Sequence, residues 1–357
     1  MEKIGVLVVD DSALMRKYIK QIINEEPDMT VLDTARDGRE AVEKAISLKP
    51  QVITMDINMP RMDGITALQY IMAQVPCPVV MLSSLTRKGA LATFEALELG
   101  AVDFISKPDG TVSQEIFKIK EEIKAKVRAA AKSRRPGKFR PERKKVVREK
   151  KGAPIKTSTV PVNVNIERVV IIGVSTGGPK TLMDILPLLP PGFPVPVVVV
   201  QHMPAGFTAP FAQRLNQYCP LRVKEAANGD VLEQGVIYVA RGGYHLKASR
   251  YQVDKGVKLF LSREPKDSLF MPSVNVTMES FCKALGPERL VAVLLTGLGD
   301  DGADMMVQIR RGGGVTIAES EETAVVWGMP REAHLRGGVQ HLVPSYQVAG
   351  CIVEALK

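Results

Sequence analysis

Two groups of residues in this sequence have the types and spacing to do chemistry. The first centres on a serine among glycines. In Ile171–Pro179, IIGVSTGGP, an apolar run meets a GxSxG pattern at Gly173, Ser175 and Gly177. Glycines flanking a serine permit a tight strand-to-helix turn that lifts the hydroxyl out of the sheet, and the next helix N-terminus offers N–H groups to an oxyanion. A serine nucleophile needs a base, and the base needs an orienting acid. Of the four histidines, His202 directly follows the apolar run Val197–Gln201 and so stands at a strand end. His245 opens a hairpin, His334 lies in the helical stretch AHLR, and His341 lies in or beside an apolar strand. The acid comes from Leu294–Met305, LLTGLGDDGADM, where Asp300 and Asp301 precede a helix. One of them can cap that helix, leaving the other to accept Nδ1–H of the histidine. The order Ser, acid, His of the α/β-hydrolases would require His334 or His341 instead.

The second group is acidic. Asp10 and Asp11 close one apolar run, Asp56 closes another, Ser83 and Ser84 a third, and Lys107-Pro108 follow a fourth. Three carboxylates in one place repel one another unless a divalent cation sits among them, and oxygen-only ligation with room for water suits Mg²⁺. A lysine and a hydroxyl nearby would bind phosphoryl oxygens, so one aspartate could carry a phosphoryl group.

Both groups need strands that end on the same side. Ile4–Val9, Met29–Ala35, Val52–Met55, Val79–Leu82 and Val102–Ile105 read as strands. They alternate with helices near Ala13–Asn24, Arg39–Ser47, Ile65–Gln74, Lys88–Leu99 and Gln114–Ala131. Five βα repeats imply a parallel sheet covered on both faces, with functional groups at the carboxyl ends of the strands. A second alternation follows: strands at Val169–Gly173, Val197–Gln201, Gly235–Ala240, Leu290–Thr296, Val315–Ala318 and Gln340–Val343, and helices near Pro179–Leu188, Thr208–Gln217, Val274–Leu285, Gly302–Arg311 and Ser345–Leu356. A hairpin runs through His245–Ala248 and Val257–Ser262. The expected fold class is α/β in two domains: a (βα)5 unit with a five-stranded parallel sheet, then a doubly wound α/β sheet domain with a β-hairpin.

Phosphate-binding readings of the serine loop fail on register. Gly173, Gly178, Lys180 and Thr181 approach GxxxxGK[ST], but Pro179 separates glycine from lysine. A dinucleotide fingerprint needs Gly where Ser175 stands and an acidic residue where Gln201-His202 stand.

At this point two resemblances apply. VLVVDDS, ITMDINMPRMDG, VVMLSSLT and AVDFISKP resemble the receiver domain of two-component response regulators. GVSTGGP, VVQHMPAGFT, ARGGYH, MPSVNV, LLTGLGDDGADM and VWGMPREA resemble the catalytic domain of the chemotaxis protein-glutamate methylesterases. The first resemblance implies Asp56 as phosphoacceptor, Mg²⁺ held by Asp10, Asp11, Asp56 and the backbone carbonyl of Asn58, phosphoryl contacts from Ser83 and Lys107, and Phe104 as a switch aromatic. The second implies catalytic Ser175, His202 and Asp301, with backbone N–H groups near Thr176 and Leu298 as oxyanion donors and no cofactor for ester hydrolysis. Asp300 and Arg241 stand where the resemblance leads one to expect Asn and Pro. The implied activity is phosphorylation-activated removal of methyl groups from glutamate methyl esters, with glutamine deamidation, on bacterial chemoreceptors. The implied partners are a chemotaxis histidine kinase and methyl-accepting chemoreceptors, and the implied location is the cytoplasm at receptor arrays. The domains expected are a receiver at 1–122, a linker at 123–159 and a catalytic domain at 160–357.

Bulk properties agree. The chain has 357 residues, 45% hydrophobic and 24% charged, ordinary for a globular protein of two or three domains. Its apolar runs fall far short of the roughly 20 residues a membrane span needs. Cys77, Cys219, Cys282 and Cys351 are scattered with no metal spacing and read as reduced thiols. The net charge of +9 suggests nucleic acid, but Lys132–Lys156 alone holds 12 Lys/Arg and 2 Glu, leaving 36 basic and 37 acidic residues elsewhere. The excess thus sits in one segment with Pro136, Pro141 and Pro154, which reads as a solvated linker or a docking strip for an acidic partner. A DNA-binding response regulator would instead place a compact basic module after the receiver.

Overall fold

The structure is a computed structural model that describes residues 3–84, 86–107, 119–133, 166–250 and 256–357. In the first half, strands β1 (Ile4–Val9), β2 (Met29–Ala35), β3 (Val52–Asp56), β4 (Val79–Ser84) and β5 (Asp103–Lys107) form one sheet in the order β2-β1-β3-β4-β5, every pair parallel. Helices α1 (Ala13–Asn24), α2 (Gly38–Leu48), α3 (Gly64–Gln74) and α4 (Arg87–Leu99) alternate with the strands. Each begins at a side chain that accepts the N–H three residues ahead: Ser12, Asp37, Asp63 and Thr86. Such caps satisfy backbone donors that the first helical turn leaves unpaired.

Helix α5 (Lys120–Lys132) corrects the expected domain edge. Its Ile123, Val127 and Ala130 are buried in one core with Val6, Val8, Ile19 and Ile22. The first folded unit therefore runs to residue 132 and not 122, because an amphipathic helix follows the sheet strand and must bury its apolar face. The expected helix start at 114–118 and the basic segment beyond Ser133 lie outside the described residues.

In the second half, β6 (Val169–Val174), β7 (Val197–Gln201), β8 (Arg222–Glu225), β9 (Val236–Val239), β12 (Leu290–Leu294), β13 (Val315–Glu319) and β14 (His341–Val343) form a parallel sheet ordered β14-β13-β12-β6-β7-β9-β8. Strands β10 (His245–Arg250) and β11 (Val257–Ser262) form an antiparallel hairpin. The helices are α6 (Gly178–Ile185), α7 (Thr208–Tyr218), α8 (Val274–Leu285), α9 (Ala303–Arg311), α10 (Met329–Leu335) and α11 (Ser345–Glu354). Both faces of the sheet are buried, as parallel sheets require. Alternate residues of β6 serve two layers: Val170, Ile172 and Val174 share a core with α6 and α11, while Val169 and Ile171 share one with α8 and α9. The α/β class, the parallel sheets and the hairpin agree with expectation. Strand β8 was not foreseen, since four residues with three charges at a sheet edge carry little apolar signal.

The halves touch through the receiver-like sheet's last elements. Helix α4 packs against α6 and α7. Phe94 stacks on Phe211 at 5.3 Å between ring centroids, and Phe104 of β5 stacks on Phe207 at 4.8 Å. The Arg214 guanidinium donates to the Glu98 carboxylate, with Nε at 2.8 Å.

Helix α3 starts so close to β3 that a Cβ on Gly64 would lie 2.0 Å from the Asp56 carbonyl oxygen. Gly64→Ala is therefore expected to lower stability by about 1–3 kcal/mol. Gly350, exposed within α11 with nothing within 4 Å of an added Cβ, gives the contrast. Gly350→Ala is expected to raise stability by about 0.5–1 kcal/mol. Urea unfolding of both variants checks the pair.

Candidate active site and phosphoacceptor site

The catalytic-type residues collect where the second sheet changes direction. The chain enters at central β6, moves to β7 on one side, and returns to β12 on the other. A crevice opens at the carboxyl ends of such strands. Ser175 follows β6 directly, and its N–H donates to Thr296 O at 2.9 Å, beyond the end of β12. His202 follows β7, and its N–H donates to Val174 O at 3.0 Å. Val174 pairs with Gln201, so Ser175 and His202 stand one residue past paired positions on neighbouring strands. The turn into α6 passes through Gly177 at φ +77°, which a residue with a Cβ adopts only under strain.

His202 meets Asp301. Its Nε2 lies 2.8 Å from Asp301 Oδ2, and the two side chains are only 6% and 9% exposed. The ring stacks on Phe270 at 4.0 Å between centroids. This overturns the expected use of Nδ1 toward the acid. Nδ1 is the buried nitrogen that makes no hydrogen bond among the described residues. A carboxylate on Nε2–H fixes the tautomer that leaves the Nδ1 lone pair free.

Asp301 is held by more than the histidine. Ser273 Oγ donates to Oδ1 at 2.9 Å, Asn275 N to Oδ1 at 2.9 Å and Val274 N to Oδ2 at 2.7 Å. These donors are the first turn of α8, whose N-terminal dipole also favours an anion. Burial pushes the carboxyl pKa up, but the bond and charge of His202 and the N–H groups of Asn275 and Val274 outweigh it and hold the group below its ordinary value. Asp300 is separate. It is exposed and accepts from Arg336 at 2.6 Å, and it does not cap α9 with its side chain. His334 and His341 are both exposed, and the histidine that Asp301 meets is His202. Neither Thr176 nor Leu298 donates its backbone N–H to another group among the described residues. The Ser175 hydroxyl likewise makes no hydrogen bond there. Sequence reasoning gave no role to Ser273 or Phe270. The serine's cap position, one residue before Val274, was the available signal.

The acidic group assembles at the switch point of the first sheet. Asp10, Asp11 and Asp56 offer carboxylate oxygens within 4.8 Å of one another. Lys107 Nζ lies 2.8 Å from both Asp10 and Asp56. Burial pushes Asp56 up to about 6, with Asp10 adding to the rise and Lys107 opposing it. Burial also raises Asp10. One lysine thus leaves three carboxylates short of positive charge, and an all-oxygen set of this size fits a hard divalent cation. Ser83 is engaged elsewhere: its hydroxyl donates to Gly89 O at 3.1 Å and accepts from Thr93 Oγ1 at 2.7 Å, inside α4. Asn58, two residues past Asp56, is exposed. Phe104 is buried, between Phe94 and Phe207.

Comparison with known proteins now adds a family. The model of the CheB methylesterases matches residues 170–352, and that of the response regulator receiver domain matches residues 6–116. The chain belongs to the CheB methylesterase family. A "Protein-glutamate methylesterase/protein-glutamine glutaminase 2" of Carboxydothermus hydrogenoformans is 54% identical over 359 residues, with 100% of each chain covered. A namesake from Caldanaerobacter subterraneus subsp. tengcongensis is 53% identical, covering 100% of this chain and 97% of that one. The CheB methylesterase catalytic domain of Thermotoga maritima, a crystal structure, is 39% identical with a TM-score of 0.50, over 52% of this chain and 97% of that one. This CheB-type chain is therefore a methylesterase, a hydrolase, joined to a receiver domain through which phosphorylation controls it. No helix among the described residues is long and apolar enough to cross a membrane.

The depressed pKa of Asp301 has a stability consequence with a definite sign. A carboxyl lowered in the folded state contributes stability above its unfolded pKa of about 4 and loses it as pH falls toward the folded value. Asp301→Asn is therefore expected to cost stability by a constant amount above about pH 5, with the gap to wild type closing below about pH 4. Urea midpoints of the two proteins from pH 3.5 to 7, compared directly, check this. A gap independent of pH would contradict it.

Proposed function

We propose that Ser175, His202 and Asp301 form the triad that hydrolyses glutamate γ-methyl esters on chemoreceptors, and that phosphorylation of Asp56 raises its rate. The observation that carries this reading is the His202 Nε2–Asp301 bond beside the strand end that bears Ser175, with Nδ1 left unpaired. In this reading Nδ1 takes the proton of Ser175 Oγ as the oxygen attacks the ester carbonyl. The oxyanion accepts the N–H groups of Thr176 and Leu298. The proton passes to the leaving methoxide, methanol departs, and water activated by the same nitrogen hydrolyses the acyl-enzyme. Glutamine side chains would follow the same path with ammonia leaving. Hydrolysis by this route uses only side chains and backbone.

Asp10, Asp11 and Asp56, with the Asn58 carbonyl, are the residues that would hold Mg²⁺, which when bound would screen their mutual repulsion as Asp56 takes up a phosphoryl group. A chemotaxis histidine kinase is the donor in this reading. Lys107 already reaches Asp56 and would meet the added oxygens. Ser83 would have to leave Gly89 and Thr93 to do so, which would disturb the start of α4. Because α4 and Phe104 are also the surface that packs on α6, α7 and Phe207, rearrangement there would loosen the contact between the halves. The receiver at the N-terminus, the basic linker and the catalytic domain thus act as three functional parts, with the protein working in the cytoplasm beside receptor arrays.

Methanol release from methylated chemoreceptor tests both halves. Wild type is expected to respond to a small-molecule phosphodonor with Mg²⁺. Asp56→Asn should lose that response, and Ser175→Ala should lose release by about 10³-fold or more. Glu98→Ala, which breaks the pair with Arg214, should raise release without phosphodonor by about 5-fold if the contact restrains the enzyme by about 1 kcal/mol. Release that survives Ser175→Ala would rule out the triad.

A further inference from the structure

A buried carboxyl that the reaction above does not use lies beneath the nucleophile turn. Glu319 is the last residue of β13 and is 0% exposed. Its Oε2 accepts the N–H of Thr296 at 2.9 Å, and its Oε1 accepts the hydroxyl of Thr323 at 2.8 Å. Thr323 Oγ1 in turn accepts Ser345 N at 2.8 Å, at the start of α11. The Glu319 carbonyl accepts Trp327 Nε1 at 3.1 Å. Glu319 is thus tied on several sides, and the one contact it makes toward the site is Thr296.

Thr296 holds the nucleophile turn at two points. Its carbonyl accepts Ser175 N at 2.9 Å, and its hydroxyl donates to Thr176 O at 2.9 Å. The same hydroxyl accepts Val326 N at 2.9 Å. Leu298, the second proposed oxyanion donor, lies two residues further along the chain. One threonine therefore fixes the Ser175 N–H, the carbonyl of the first donor residue and the root of the loop that bears the second. Its own N–H is held by a single side chain.

We propose that Glu319 is a positioning residue for ester hydrolysis: through Thr296 it sets the nucleophile turn and the two oxyanion donors in register. This rests on the Ser175 triad reading. A displacement of tenths of an ångström at Thr296 moves Ser175 and both N–H groups relative to each other, and such donors lose effect steeply with misplacement. The role needs an acceptor of the right length and not a charge. Burial, with Asp184 acting in the same direction, pushes Glu319 up to about 7 against the bonds from Thr296 and Thr323. A neutral group of equal length therefore fits the same slot.

Two conservative variants of the full-length protein, assayed with phosphodonor and Mg²⁺, separate the idea from a merely structural role. Glu319→Gln keeps the length. Glu319→Asp withdraws the acceptor by one methylene. Active sites are counted by fluorophosphonate labelling of Ser175, and methanol release is expressed per labelled site. Expected are a kcat per site within about threefold of wild type for E319Q and about 10-fold lower for E319D, with KM changed less than about twofold in both, as removal of a transition-state interaction requires. If E319D matches wild type per site, or loses only the number of labelled sites, Glu319 is a core residue and the proposal is wrong. Wild type that releases methanol without labelling at Ser175 would instead overturn the triad reading, and the role of Glu319 with it.

Discussion

The structure depends on a constraint of parallel sheets: every strand ends on the same edge, so chemistry gathers there or nowhere. In both sheets the sharpest convergence comes where the chain reverses its winding, between β1 and β3 in one and around β6 in the other. Main-chain bonds then join the strand ends directly. Ser175 N to Thr296 O and His202 N to Val174 O make the segments that bear Ser175 and His202 and the strand that leads to Asp301 one backbone assembly before any side chain is considered. Reach between Ser175 and His202 follows from strand pairing, which is why residues 27 positions apart in sequence meet with little conformational freedom left to fix.

The two sites treat buried carboxylates in opposite ways. Asp301 receives Ser273 Oγ, two N–H groups of a helix N-terminus and His202, so its charge is satisfied and its pKa is depressed despite burial. It can orient an imidazole without exchanging its own proton. Burial raises the Asp56 pKa to about 6, with Asp10 and Asp11 adding to the rise and Lys107 opposing it. A carboxyl left short of positive charge is one whose state a cation or a phosphoryl group can change. A satisfied charge suits an orienting group, and an unsatisfied one suits a site that takes up a cation or a phosphoryl group.

Much of this was legible because strand-end residues follow apolar runs whose length and composition mark them. Ser175, His202, Asp10, Asp56 and Lys107 are each adjacent to such a run. Other features were not legible because they depend on how side chains enter the crevice from distant segments. The use of Nε2 toward the acid depends on where Asp301, 99 positions from His202, enters the crevice, and the cradle of Asp301 comes from Ser273, 28 positions away. The separation of Asp300 from Asp301 rests on Arg336, which nothing in the DDG motif announces. Helix α5 was read as a helix but cut at 122, since a change toward basic composition begins before its apolar face has ended.

The contact between the halves follows the same logic of shared edges. Helices α6 and α7 begin just after Ser175 and shortly after His202, so a body resting on them rests on the two elements that those residues lead into. Phe207, which stacks on Phe104, is five residues from His202 along the loop into α7. The receiver therefore need not reach the reacting atoms to influence them. Two stacked aromatic pairs and one ion pair of the Arg–carboxylate type are each worth on the order of 1 kcal/mol. A contact of that size is small enough to be offset by a few charge-assisted bonds made elsewhere in the receiver.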